Sequence, residues 1–206
     1  MNIYFFVISL INFLNNPMKQ NSQKTKTSPS NRHGLSLEEK RWFAVYTKFK
    51  REKLVVKQLQ SKQITAYVPL QQLTRYYTRK IKKVELPLIS CYVFVQIDKS
   101  EYVQVLETPD VVNFVKVQKD LVPIPEREIN ILRQIVGEGV ELEVSQSKVR
   151  VGQKAEIIGG RLTGLKGKIV SEHGDKNFVI ELDTLNYSLH MQVPKKYLQP
   201  LGSRSA

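Results

Sequence analysis

Cysteine is almost absent from this sequence of 206 residues: the one thiol is Cys91. A single cysteine excludes an internal disulfide and any zinc cluster built from several thiolates. It lies in an apolar, strand-like run, where a small buried hydrophobe is the expected role. Histidine is nearly as scarce, with only His33, His173 and His190. None stands at catalytic or metal-ligand spacing from Cys91 or a carboxylate, so no enzyme, no metal site and no cofactor are expected. His173, beside Gly174-Asp175, and His190, in a strand-like segment, read as surface or satisfied residues.

Long apolar runs are missing too. Residues 1–14 are rich in Ile, Phe, Leu and Val but too short to cross a bilayer comfortably as a helix. They also lack the cationic start and small-residue cleavage site of a secretion signal, and no stable membrane association is expected. A polar stretch rich in Lys, Ser, Thr, Asn and Gln begins at Met18, which points to Met18 as the true start and residues 1–17 as an upstream extension. Residues 1–39 form a non-globular extension on this reading, with 18–39 a disordered basic arm. Nucleotide-binding loops are absent: Gly167-Lys168 is followed by Ile169 rather than Ser or Thr, and Leu162 stands where the first glycine belongs.

Acids are the third shortage, 19 against 32 Lys and Arg, leaving a net charge of +13. The imbalance is uneven. From Arg41 to Lys83 there are twelve cations and one acid, Glu52, a surplus of +11. From 126 to 147 there are two Arg against five Glu, or −3, and from 148 onward ten cations against five acids, or +5. Solubility does not require one sign so concentrated, and a polyanion such as nucleic acid is the expected partner.

The residues present order themselves into two modules. Arg41–Thr47 is aromatic and β-branched, hence a strand. Residues 52–61 carry Leu54, Val55, Gln58 and Leu59 at helical spacing, flanked by cations. A strand near 66–70 leads to an extended hairpin arm over 73–86, and the nearly apolar run 88–97 reads as a central strand. Asp98 or Ser100 caps a short helix that Pro109 stops, 111–117 is a strand, and Pro125 opens a helix bearing Ile129, Leu132, Ile135 and Val136. The expected fold of 40–136 is therefore α+β, an antiparallel sheet flanked by helices. A linker over 137–148 precedes four or five short strands in 149–201, which suit a small all-β SH3-like barrel, with 202–206 a tail. Within it, Gly160, Arg161, Gly164, Lys166, Gly167 and Lys168 form a glycine-turn hairpin with a basic tip.

Three motifs in this order resemble the NusG family of transcription elongation factors. Trp42-Phe43-Ala44-Val45-Tyr46 is similar to the first strand of its N-terminal domain. Ile89-Ser90-Cys91-Tyr92-Val93-Phe94-Val95 resembles its central strand, with Ser90-Cys91 in place of the usual Pro-Gly or Pro-Asn. Residues 160–170 resemble the KOW motif of its C-terminal barrel. The resemblance implies a cytoplasmic, monomeric, non-catalytic factor. Its N-terminal domain would dock an apolar patch on the clamp helices of the largest subunit of RNA polymerase, and the matching positions are Tyr46, Ile89, Tyr92 and Phe94. Those four also suit an ordinary core. It further implies that Lys48, Lys50, Arg51, Lys53 and Lys57 of the helix region, with Arg75, Arg79, Lys80, Lys82 and Lys83 of the arm, face upstream and non-template DNA. Tyr76 and Tyr77 are candidates for base stacking. The KOW domain would bind a ribosomal protein, termination factor Rho or the N-terminal domain itself. The basic arm and the Tyr-Val-Phe-Val strand resemble specialised UpxY-type antiterminators of capsular polysaccharide loci. A ribosomal or other RNA-binding KOW protein is the alternative.

Overall fold

The computed structural model describes residues 34–78, 80–117, 120–136, 142–146, 152–160, 162–172 and 175–201. The extension before Gly34, with Met18 and His33, lies outside the described residues, as do Arg79, Arg161, His173 and most of the linker.

The amino-terminal region grows around two apolar strands. β1 (Arg41–Thr47) and β5 (Tyr92–Ile97) run antiparallel, with Ala44 opposite Phe94 and Tyr46 opposite Tyr92. β2 (Thr65–Tyr67) adds beside β5 and β6 (Val111–Phe114) beside β1, giving the order β2-β5-β1-β6. Strands apolar on alternating sides need cover on both faces. On one face, Phe43, Val45, Val93, Val95 and Ile97 share a core with Val55 and Leu59 of helix α1 (Glu52–Ser61) and Val105 of helix α2 (Tyr102–Leu106). On the other, Trp42, Ala44, Tyr92 and Phe94 share a core with Ile129, Leu132 and Ile135 of helix α3 (Glu126–Ile135). The fold is the expected α+β arrangement.

Among the described residues β3 (Leu70–Tyr77) and β4 (Lys80–Pro87) pair only with each other and form the expected arm. Several boundaries differ from the sequence pattern. The central strand opens at Tyr92 rather than 88, because Cys91 sits at φ 65° and turns the chain there. The 111–117 strand divides into β6 and β7 (Lys116–Val117), and β7 pairs with the short β8 (Asp120–Leu121). Pro125, at ψ 140°, precedes the first turn of α3 instead of joining it.

The carboxy-terminal unit is all-β. Its strands are β9 (Leu142–Ser145), β10 (Gln153–Ile157), β11 (Lys166–Glu172), β12 (Asp175–Leu182), β13 (Tyr187–Met191) and β14 (Leu198–Pro200). They pair in the antiparallel order β14-β10-β11-β12-β13-β9. β9 falls where the sequence reads as linker: Leu142 and Val144 lie opposite Met191 and Leu189, and this apolar facing outweighs the local acidity of 138–143. His190 lies in β13, its Nε2 3.2 Å from the Ser145 hydroxyl.

Candidate functional site

The four patch positions converge. Tyr92 donates its hydroxyl hydrogen to the Tyr46 hydroxyl at 3.0 Å, and the two rings meet edge to face with centroids 4.8 Å apart. Phe94 is fully buried beside Tyr67, and Ile89 is buried in the same cluster. The expectation that one face fills the core while the other stays free is corrected here. Tyr92 is only 5% exposed, because helix α3 and the C-terminal unit together cover this face. Tyr187 packs edge to face on Tyr92 at 5.8 Å, and Leu189, Ile180 and Met191 belong to the same apolar cluster. Burial raises the Tyr46 and Tyr92 phenols above their ordinary value and pushes Tyr67 up to about 12.

Polar contacts between described residues cross the seam. The Thr184 amide and hydroxyl both donate to Glu128 Oε1 of α3, at 3.2 and 2.9 Å. Gln134 Nε2 donates to the Thr163 carbonyl at 3.2 Å. Glu128 is buried, its Oε2 has no hydrogen-bond partner among the described residues, and burial raises its carboxyl above the ordinary range. A third device fixes α3 to the sheet. Arg133 lies 5.2 Å from the Trp42 ring and 5.6 Å from the Tyr67 ring, while Trp42 Nε1 donates to Glu126 at 2.6 Å. No periodicity in the sequence signals Glu128 or Arg133, since both are charges on a helix that reads as half solvated.

The basic residues lie on a different part of the surface. Lys48, Lys50, Arg51, Lys53 and Lys57 are exposed around the start of α1, and Arg75, Lys80, Lys82 and Lys83 are exposed along the arm. In the arm's register Arg75 stands directly opposite Lys82, a like-charge pair that weakens a hairpin unless an anion covers it. Where α1 meets the arm, Lys53, Gln72, Lys82, Lys83, Val84, Glu85 and Leu86 line a shallow cleft of about 540 Å³. Not every cation there is free. Lys48 pairs with Asp110 at 3.0 Å and Arg51 approaches it at 3.8 Å, while Lys53 pairs with Glu85 at 2.9 Å. The lone acid of the basic stretch, Glu52, is buried and accepts the Cys91 amide at 2.8 Å. The Tyr76 and Tyr77 side chains lie outside what the structure describes.

The glycine-turn hairpin serves the β-unit itself. Gly160 and Gly164 take φ 77° and 90° in the β10–β11 turn, and the Gly164 amide donates to the Ile157 carbonyl at 2.8 Å. A Cβ on Gly167 would stand 2.4 Å from the Val179 carbonyl oxygen and 2.8 Å from the Phe178 ring, so only glycine fits. Its cations turn to neighbouring acids: Lys168 pairs with Glu181 at 2.9 Å and Lys166 with Glu156 at 3.7 Å. Leu162 and Leu165 are buried within the turn. Gly160, Thr163, Gly164 and Lys166 themselves stand exposed at the turn.

An antiparallel α+β domain with an aromatic face and a basic arm, followed by an all-β unit with a glycine-turn hairpin, describes a two-module basic protein rather than a pocketed one. Residues 40–133 match the family model for NusG, described as transcription termination factor nusG. Among solved structures the chain is similar to Thermotoga maritima NusG, described for its domain interaction, at 21% identity and TM-score 0.49, covering 79% of this chain and 97% of that one. It is also similar to the MjSpt4:Spt5 complex. Conformation A gives 17% identity and TM-score 0.28 over 78% and 97% of the two chains, and conformation B 18% and 0.27 over 80% and 99%. No curated protein matches. No helix among the described residues is long and apolar enough to cross a membrane.

Proposed function

We propose that the protein is a non-catalytic transcription elongation and antitermination factor that binds RNA polymerase through its N-terminal domain. The observation that carries this reading is the convergence of Tyr46, Ile89, Tyr92 and Phe94 on one face of a domain that matches the NusG family model. An aromatic cluster of this kind supplies the anchors of a protein interface once it is uncovered. Since the C-terminal unit now covers it, docking on the clamp helices of the largest subunit requires that unit to swing away. The cover is held by Tyr187, the Glu128–Thr184 pair and the Gln134–Thr163 bond. The basic arm and the α1 region then lie on upstream and non-template DNA, steadying the fork and disfavouring pauses. The released unit becomes available to a ribosomal protein or Rho. Action at particular operons, in the manner of UpxY-type factors of surface polysaccharide loci, fits the basic arm.

A pull-down with purified RNA polymerase after nuclease treatment tests the reading, with retention expected. Retention on ribosomes but not on polymerase would instead favour an RNA-binding KOW protein. The pairing of Lys166 and Lys168 with the unit's own acids already weighs against that alternative.

A further inference from the structure

One exposed aromatic on the basic face is absorbed by neither the core nor the patch. Phe49 is 47% exposed and stands two residues past the end of β1, between Lys48 and Lys50 with Arg51 next. Apolar side chains scattered singly on a surface are ordinary, so exposure alone decides nothing. What distinguishes Phe49 is how firmly it is presented and what surrounds it. The Arg51 amide donates to the Lys48 carbonyl at 3.1 Å, closing a β-turn with Phe49 and Lys50 at its two central positions. Lys50 stands at φ 61°, a place usually given to Gly or Asn. The Lys48 amide donates to the Asp110 carbonyl at 2.9 Å, and the Asp110 carboxylate holds the Lys48 ammonium at 3.0 Å. Asp110 is itself left-handed at φ 68°. The turn is thus tied at both its backbone and its charged side chains, and the phenyl ring stands at its tip. The only charged group over the ring in the described structure is the Lys50 ammonium, 5.2 Å from its centroid.

We infer that Phe49 is a stacking platform for an unpaired base of single-stranded nucleic acid, with Lys50 and the neighbouring arm cations taking the flanking phosphates. The inference rests on the reading that this face meets nucleic acid, and adds to it a preference for single strands. A phenyl face gains from an exposed base face whatever its sequence, and bases inside a duplex offer none. Phosphate contacts from lysines alone would not distinguish the two forms in this way.

The test uses the full chain with a single strand of about ten nucleotides of oligothymidine and a duplex of equal length. Trp42, the sole native tryptophan, is buried, so emission from a Phe49→Trp variant reports on the turn. Quenching of that emission by the single strand, and not by the duplex, is expected. Phe49→Ala is expected to weaken single-strand binding about tenfold while leaving duplex affinity and the salt slope unchanged, because no phosphate contact is lost. Equal single-strand affinity of Phe49→Ala and the native chain, with binding still lost on neutralising Lys80, Lys82 and Lys83, would overturn the stacking role and leave the basic face intact. Equal losses on both nucleic acids would reduce Phe49 to shaping the turn. A loss of polymerase retention alone would assign the ring to a protein contact. Absence of any binding by the native chain would overturn both the inference and the nucleic-acid reading beneath it.

Discussion

At φ 65°, Cys91 holds a conformation that costs a residue with a Cβ about 1–2 kcal/mol. Its backbone leaves no alternative, because the amide is bound to Glu52 Oε1 at 2.8 Å and the carbonyl accepts the Thr47 amide at 2.9 Å. Burial and the nearby Glu52 carboxylate raise its thiol above the ordinary value, which suits a structural residue. Replacement by glycine removes the clash, at the cost of a more flexible unfolded chain. Cys91→Gly is expected to raise the unfolding free energy by about 1 kcal/mol in urea denaturation, and Cys91→Val to lower it. The next residue poses a different balance. Tyr92→Phe forfeits the hydroxyl's hydrogen bonding with Tyr46 and Tyr187, about 1–2 kcal/mol, whereas Tyr92→Ala opens a cavity costing about 3–5 kcal/mol. Denaturation of both variants checks this, and Tyr92→Phe is therefore the variant to carry into polymerase retention. Strand alternation made it legible in the sequence that Tyr92 and Phe94 share a face. That a positive φ would fall on Cys91 was visible only as the loss of the expected Gly or Asn. Its cause lies in two bonds from elements distant in sequence.

The elements were more legible than their ends. α1 runs over the span its apolar spacing indicates, because Val55 and Leu59 are buried against the sheet, Val56 packs beside them and most of its other side chains are exposed. The arm was equally plain, since alternating Lys and Arg suit no core. By contrast, the β7–β8 ribbon and β9 are short, and they exist only because a partner strand supplies their hydrogen bonds. Nothing local marks such pairings. The arm also carries an energetic signature that register alone reveals. Arg75 and Lys82 face each other, and among the described residues neither forms an ion pair. Neutralising Lys80, Lys82 and Lys83 to Gln should therefore leave the arm as stable or slightly more so. The same change should lower the slope of log K against log salt for DNA by about 0.7–0.9 for each phosphate contact removed. Fluorescence titrations across a salt series check the slope, and an unchanged value would take the arm out of the interface.

If the proposed function requires the aromatic face to open, the quantity that matters for the whole molecule is the balance between its covered and open arrangements, and Glu128 is placed to bias it. In the covered arrangement its Oε1 accepts two bonds from Thr184 while Oε2 is buried without a partner among the described residues. Arg127 pulls its carboxyl down and Asp183 pushes it up, but burial is the largest influence and the net shift is upward. The sign follows directly. A carboxyl that holds its proton more tightly when covered than when open favours covering at low pH. That contribution is complete below the ordinary value of 4.5 and is lost as pH rises through the raised value. Above it, covering the face means burying an ionised, half-satisfied carboxylate. Small-angle scattering is expected to show the radius of gyration rising between about pH 4 and pH 8. Glu128→Gln keeps an acceptor for Thr184 and abolishes the titration, so its profile should be flat and its polymerase retention lower. Glu128→Lys should hold the face open and raise retention, provided Tyr92 remains the anchor. A flat profile in the native chain would remove Glu128 from control of the seam, leaving the apolar contact of Tyr187 on Tyr92 as the main restraint.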